Sequence, residues 1–453
     1  MRCLVITVLD MQREPNQRTQ YVARMLGGIA HETVVFSKVQ QTDHRLPAML
    51  RAALQPAVRR ATYQPMPLIR LWMVNPPLNY PHALAGSLVQ VSLAQDLEHG
   101  AAHGMPCHPL AQLAQGVNAA GRSLVAAACS VAGILRDLVL APTLLAAVLW
   151  RTRGCFDICV VEGPWSGAAG WMLKKLGRVD RLVYDDIDHV AGGQWLALRR
   201  WYVHALENAI MRRADLVISA GYRLGALRRH RTGRPVRVIP NGVDPAVFAA
   251  ARVKRPHPPT LVYMGHLAPF CGVDLAVRAL PLLRAQLPDA RLLIIGDGDP
   301  GYVAALRALA RAGAVSDGVV MTGRVPYDSL ARVLAECDIG LATFRTGDLG
   351  KHAFPLKLLE YMAAGLAVLC TRDTEAEEVI RRYPAGRAIH FNPQELAASA
   401  LELLQQPDVY ARATCAGRLA VERYTWERAL TEQRAAILDL FAPADRRRLF
   451  LQP

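Results

Sequence analysis

Short apolar runs separated by helix-length spacers are the feature that most narrows what this chain can fold into. From residue 260 they read TLVYMG, RLLIIG, GVVMTG, CDIGLATF, AVLCT and RAIHF. Runs of roughly four to six apolar residues ending in glycine or a polar residue suit strands buried on both faces, and the spacers hold crossover helices. The pattern predicts a doubly wound α/β domain, whose ligands bind beyond the carboxyl ends of the strands. Gly265, Gly296 and Gly323 end three of these runs and would face one crevice.

The first half keeps the same rhythm in CLVITVLD (3–10), ETVVFSK, IRLWMVN (69–75), CFDICVVEGP, RLVYDDID, ADLVISA and VRVIPNGVD. Two α/β series of similar size meet at the proline-rich, charged ARVKRPHPP (251–259), which reads as a linker. The expected units are an N-terminal domain over 1–250, a C-terminal domain over 260–425 and a helical tail over 426–453 that packs back on the first.

The segment FPLKLLEYMAAG (354–365) carries the clearest chemistry. Lys357 and Glu360 stand three apart, on one helix face. Pro355 occupies the position of a first-turn proline, and Gly365 that of the glycine ending a helix. A helix N-terminus with a lysine suits phosphate, and a carboxylate one turn deeper suits a ribose diol. A chance ion pair on an amphipathic helix is the competing reading. GDGDPG (296–301) spells a dinucleotide fingerprint, but its strand is second in the domain and the acidic Asp317 precedes the next strand rather than ending it. Those glycines read as a tight turn.

PNGVD (240–244), YMGHLAPFCGVDLAVRAL (263–280), IIGDGD (294–299), TGRVP (322–326) and EYMAAG stand in an order and spacing that resembles GT-B glycosyltransferases of the large retaining family 4, over roughly residues 180–430. The resemblance implies two Rossmann-like domains facing a cleft. It implies that Glu360 holds the donor ribose, that Pro355 and Leu356 lie at the diphosphate, and that Lys357 pairs with phosphate. A proline at 355 has no amide hydrogen to donate. Gly323, Arg324 and Val325 match the loop under the base. His352 stands where the family has a glutamate toward the donor sugar. Gly265-His266 and Cys271-Gly272 replace the family's Gly-Arg and Lys-Gly pairs, so two phosphate cations are missing or weakened. His266 and Lys357 are the substitutes, with Arg345 and Lys351 in reserve.

Catalytic carboxylates are expected across the cleft. RLVYDDIDH ends a strand in Asp185, Asp186, Asp188 and His189, and the spacing of Tyr184, Asp185 and Asp188 resembles that of related transferases. Asp185 and Asp188 are therefore the catalytic candidates. A solvated loop, or Asp188 capping a helix, is the structural alternative. Glu162 is a further candidate, while Glu207 is expected to pair with Arg212 and Arg213. Arg18, with Asn16 and Gln17, would look out on the cleft as an acceptor contact, and Asn241 would shape the turn into it. The retaining mechanism implied by the family needs no protein nucleophile; an inverting relative would need a carboxylate as general base.

The 53 basic and 38 acidic residues are unevenly shared, leaving an excess of +12 over 1–245 and +3 over the rest. Such a surface attracts anionic lipid or nucleic acid. With no nucleic-acid motif and 6% aromatics, base stacking is not expected, and an anionic membrane carrying the acceptor is the simpler partner. Residues 124–150 are the most apolar stretch; Arg136, Asp137 and Pro142 divide it into two helices too short to span a bilayer, lying in the core or at the interface. The start of the chain shows no signal-peptide pattern. The nine cysteines form no Cys-x-x-Cys pair and suit a reducing cytosol, and no metal-ligand spacing is present. The expected protein is a cytoplasmic, membrane-peripheral glycosyltransferase moving a sugar from a nucleotide-diphosphate sugar to a glycan or lipid-linked acceptor without a metal cofactor. The alternatives are a nucleotide-sugar epimerase and a non-catalytic nucleotide-binding or scaffolding protein of the same fold.

Overall fold

Strands that are apolar on both faces have to be covered by helices on both sides, and each half of the chain meets that demand separately. The computed structural model describes residues 1–7, 18–38, 58–63, 66–71, 119–193, 196–252, 256–345 and 347–442. The first sheet contains β1 (Arg2–Ile6), β2 (Glu32–Lys38), β3 (Val58–Tyr63), β4 (Met66–Leu71), β5 (Phe156–Val161), β6 (Val179–Asp186), β7 (Leu216–Ser219) and β8 (Arg237–Val238). Their order is β3-β4-β2-β1-β5-β6-β7-β8. The second contains β9 (Thr260–Met264), β10 (Arg291–Ile295), β11 (Val319–Gly323), β12 (Ile339–Ala342), β13 (Ala367–Thr371) and β14 (Gly386–Ile389), in the order β11-β10-β9-β12-β13-β14. Strand order reverses beside β1 in the first sheet and beside β9 in the second, so both switch points open toward ligand.

The sequence pattern missed two features. The antiparallel pair of β3 and β4 at the sheet edge was not expected, and the strand read at 69–75 runs from Met66 to Leu71, with 72–75 outside the described residues. Residues 119–151 form one continuous helix rather than two, with Pro142 inside it. It packs along the helices Gly163–Lys175 and Ala197–Met211, and Asp137 on it pairs with buried Arg199 at 2.9 Å. Contacts on both sides outweigh the one backbone bond that proline removes.

The chain passes between the domains earlier than the proline-rich stretch suggested. Ile239 packs in the core of the first domain with Cys3 and Val5, whereas Val243 and Phe248 pack in the core of the second. The return passage lies beside it. The Val243 amide donates to the Tyr424 carbonyl at 2.9 Å, and the Trp426 amide to the Val243 carbonyl at 3.3 Å. Gly242 permits this approach, because a Cβ there would meet the Trp426 nitrogen at 2.3 Å. Beyond the return, Trp426 stacks on Tyr21 of the first domain at 4.3 Å between ring centroids.

A buried ion pair fastens that last helix, Trp426–Leu438. Arg18, at the start of the helix Arg18–Ile29, donates from Nε to both oxygens of Asp185 at 3.1 Å. Its other nitrogens reach the Ile239 carbonyl at 2.7 Å and Gln433 at 3.2 Å, and Gln433 in turn donates to Asp185 at 3.2 Å. Arg18 and Asp185 are 2% and 1% exposed. Removing one charge strands the other away from water, at a cost of about 3–5 kcal/mol. Asp185→Asn is therefore expected to lower stability by that order in urea unfolding. Unchanged stability with lost turnover would place Asp185 on the substrate instead.

Candidate active site

The two switch points set the site. On the second domain, the helix Leu356–Ala363 follows β12 and is fixed to the sheet by Tyr361. The Tyr361 ring lies on Gly340, where a Cβ would sit 2.2 Å from it, and its hydroxyl accepts from the Met264 amide at 2.7 Å. The first turn of the helix is thereby held at the end of β9. Pro355 is the cap residue rather than the first helical one, so the turn begins at Leu356; Gly365, at φ +75°, follows its other end.

Lys357 projects from this turn. Its Nζ is 3.9 Å from the centroid of the Tyr263 ring, and a Cβ on Gly265 would stand 3.1 Å from it. Gly265 has φ +133° and lets the chain turn aside there. Burial pushes the Lys357 ammonium down to about 8, against the opposing pull of the negative charges around it. Glu360 opens in part toward the cleft but is otherwise walled in by protein; burial raises its carboxyl to about 7, while Lys357 and a hydrogen bond from Tyr327 lower it. Tyr327 is a partner the sequence reading missed; it begins the helix Tyr327–Leu334, three residues beyond Arg324.

The remaining residues divide. Gly323 takes φ +69° and its carbonyl accepts from the Gly296 amide at 2.8 Å, so the two glycine turns are joined. Arg324 is exposed and 3.3 Å from Asp297, and Val325 packs into the core of the second domain. His266 is exposed, and its carbonyl accepts from the Tyr263 hydroxyl at 2.9 Å. Cys271 is buried. Arg345, the reserve cation, is committed to Asp274 at 2.6 Å and lies over the Phe391 ring. Asp317 is on the surface, paired with Arg284 at 2.7 Å.

On the first domain, Thr7 after β1 donates to Glu162 after β5 at 2.7 Å. The other Glu162 oxygen is buried with no hydrogen-bond partner among the described residues, and burial pushes this carboxyl up to about 8. Asp186 and Glu207 both take Arg228, at 2.8 Å each, in a buried triad, so Glu207 does not pair with Arg212 and Arg213 as expected. Asp185 and Arg18 are spent on each other, with Asn241 3.4 Å from Arg18, so neither is presented to the cleft as a free group. Asp188 alone of the cluster reaches the surface; the protein around it and the charge of Asp186 raise its carboxyl to about 6. Asn16 and Gln17 lie outside the described residues.

Among the contacts that join the domains here, two bear on the site. The His352 ring meets the His189 ring edge-on at 5.1 Å. His352 Nδ1 lies 2.8 Å from the Asp348 carbonyl and so carries the proton, which leaves Nε2 as an acceptor. Glu375, beginning the helix Glu375–Arg382, accepts from the amides of Tyr222 and Leu224 at 3.0 and 2.9 Å. A carboxylate of one domain thus caps a helix of the other, and a Cβ on Gly221 would strike it at 2.3 Å.

Two Rossmann-like domains with a cleft between the carboxyl ends of their sheets are the GT-B fold, and residues 258–406 match the family model described as glycosyl transferases group 1. A phosphatidyl-myo-inositol mannosyltransferase of Mycobacterium tuberculosis is 31% identical over 197 residues, 42% of this chain and 50% of that protein. The chain thus spans about half the length of this relative. A GDP-mannose-dependent alpha-(1-6)-phosphatidylinositol monomannoside mannosyltransferase of Mycolicibacterium smegmatis is 28% identical over 309 residues, 64% of this chain and 78% of that one. The solved sucrose-phosphate synthase of Thermosynechococcus elongatus superposes with a TM-score of 0.68 over 97% of this chain and 99% of its own, at 18% identity, a likeness of fold.

The titrations of Lys357 and Glu360 set a pH window. A diphosphate favours the ammonium, held below about 8, and a ribose diol favours the carboxylate, held above about 7. Nucleoside-diphosphate affinity is expected to be highest between those values and to fall by up to about tenfold per pH unit on each side. Calorimetry across pH 5–10 measures it, and Lys357→Arg should extend the alkaline limb. A flat profile would separate both groups from the ligand.

Proposed function

We propose that the protein is a glycosyltransferase that moves a sugar from a nucleotide-diphosphate sugar to a lipid-linked acceptor. The observation carrying this reading is one helix end in the cleft that presents an ammonium against Gly265 and, one turn deeper, a carboxylate held by Tyr327. In this reading Lys357 and the Leu356 amide take the diphosphate, Glu360 accepts from the ribose hydroxyls, and Gly323, Arg324 and Val325 lie under the base. His352 Nε2 accepts from a hydroxyl of the donor sugar. The names of the relatives support GDP-mannose as donor and an inositol phospholipid as acceptor.

Retention of configuration is the reading we favour, and the state of the other carboxylates supports it. Asp185 and Asp186 are bound to arginines, and Glu162 keeps its proton at neutral pH. The leaving diphosphate is then the base: the C1–O bond to phosphate breaks, the acceptor oxygen joins C1 on the same face, and its proton passes to the departing phosphate oxygen. Lys357 supplies the positive charge at the diphosphate and His266 a ring N–H beside it, and this reading invokes no metal. Asp188, the exposed carboxylate of the cluster, would be the general base of the inverting alternative. The test is incubation with GDP-mannose, UDP-glucose or ADP-glucose and a membrane lipid extract. Lipid-borne mannose is expected, with donor binding weakened by about 1–3 kcal/mol in Glu360→Gln. Nucleotide binding without product would indicate a non-catalytic protein, and turnover without acceptor an epimerase.

The acceptor reading extends to a membrane surface. The first 245 residues carry the +12 excess, and Leu135, Leu138, Trp150 and Trp201 are exposed on neighbouring helices of that domain. No helix among the described residues is long and apolar enough to cross a membrane. Each basic residue near an anionic surface contributes about 1 kcal/mol, screened by salt, whereas buried apolar area is not. The full chain is expected to float with anionic vesicles at low salt, with a residual salt-resistant fraction that Trp201→Ser diminishes. Equal recovery with zwitterionic and anionic vesicles would remove the electrostatic part.

A further inference from the structure

We propose that the cavity beside the double passage between the domains binds a small phosphorylated ligand, and that this ligand regulates the angle between the domains. The cavity encloses about 340 Å³, which lies at the small end of the range for small-molecule sites. Tyr222 and the main chain of 238–241 form one wall, Arg382 and Tyr383 a second, and Arg423, Arg428 and Glu432 the third. Neither Lys357 nor Glu360 lines it, so it is separate from the donor cleft.

Three guanidinium groups converge on one small space, and their carboxylate partners do not balance them. Arg382 takes Glu378 at 2.8 Å and Arg428 takes Glu432 at 3.1 Å. Arg423 has no carboxylate partner among the described residues. Arg382 also lies 4.0 Å over the Tyr222 ring. The Tyr222 hydroxyl is 3.1 Å from that of Tyr424, and the pair has a donor to spare. Guanidinium forks with hydroxyl donors match a phosphate group, while tyrosine faces suit the body of a sugar or other small ring.

The location supplies the regulatory consequence. Tyr222 belongs to the first domain and Arg382 to the second, while 238–241 and 423–428 flank the two passages where Val243 and Thr425 pair. An anion gripping both walls binds one interdomain angle better than others, and such differential affinity is what shifts a conformational equilibrium.

The probe is a hexose 6-phosphate, with the free hexose as neutral control, titrated calorimetrically into the full chain at low ionic strength. One saturable site is expected for the phosphate and none for the hexose. Arg423→Glu, on an exposed side chain, should weaken binding about tenfold or more, Arg428→Gln less, and Lys357→Ala not at all. No saturable binding, equal affinity in Arg423→Glu, or loss in Lys357→Ala would overturn the site, the last by assigning the anion to the donor cleft. Hydrogen exchange at 239–243 and 424–426 should slow when the probe is bound. Unchanged exchange there would overturn the regulatory role.

Discussion

Two strands of chain pass between the domains, and they pass side by side. The hydrogen bonds between Val243 and its partners Tyr424 and Trp426 turn what would be two independent tethers into one narrow strap. Everything about the cleft depends on that. A single tether would let the sheets rotate freely; a strap with a fixed pairing restricts them to bending across it. The carboxyl ends of both sheets therefore stay opposed, and groups hundreds of residues apart in the chain share one space. The Arg18–Asp185–Gln433 cluster serves the same end, because it stops the last helix from peeling away and taking the second passage with it.

Burial then decides which charges in the cleft remain available. Asp185, Asp186 and Glu207 are each bound to an arginine, Asp185 to Arg18 and the other two to Arg228 between them. Lys357 and Glu360 are enclosed without such a partner at full strength, and both are pushed toward their neutral forms. A group held near its titration point responds to a ligand of opposite demand, whereas a group locked in an ion pair does not. The contrast between locked and responsive charges separates the framework of the candidate site from the groups proposed to meet a ligand.

The sheets were legible because strands buried on both faces write themselves as continuous apolar runs, and all six runs quoted from residue 260 onward became strands. The helix bearing Lys357 and Glu360 was legible for a local reason, the spacing on one face. What escaped was non-local. Nothing near Asp185 announces Arg18 or Gln433 as partners, 167 and 248 residues away. Pro142 marked a helix break by a sound local rule, and packing against two neighbouring helices overrode it. The linker was misplaced for a similar reason: composition marked the proline-rich stretch, but the passage is fixed by which core Ile239 and Val243 enter.

The clasp formed by Glu375 has a mechanical meaning. Its two amide contacts, at 3.0 and 2.9 Å, are short and directional, and hydrogen bonds of this kind weaken steeply with small displacements. A cap shared between two bodies is either seated or vacated, with little in between. Gly221 is part of the fitting, since any side chain there would keep the carboxylate out of its seat. Opening at this edge of the cleft therefore has to break both amide contacts, and their strength adds to whatever else holds the domains together.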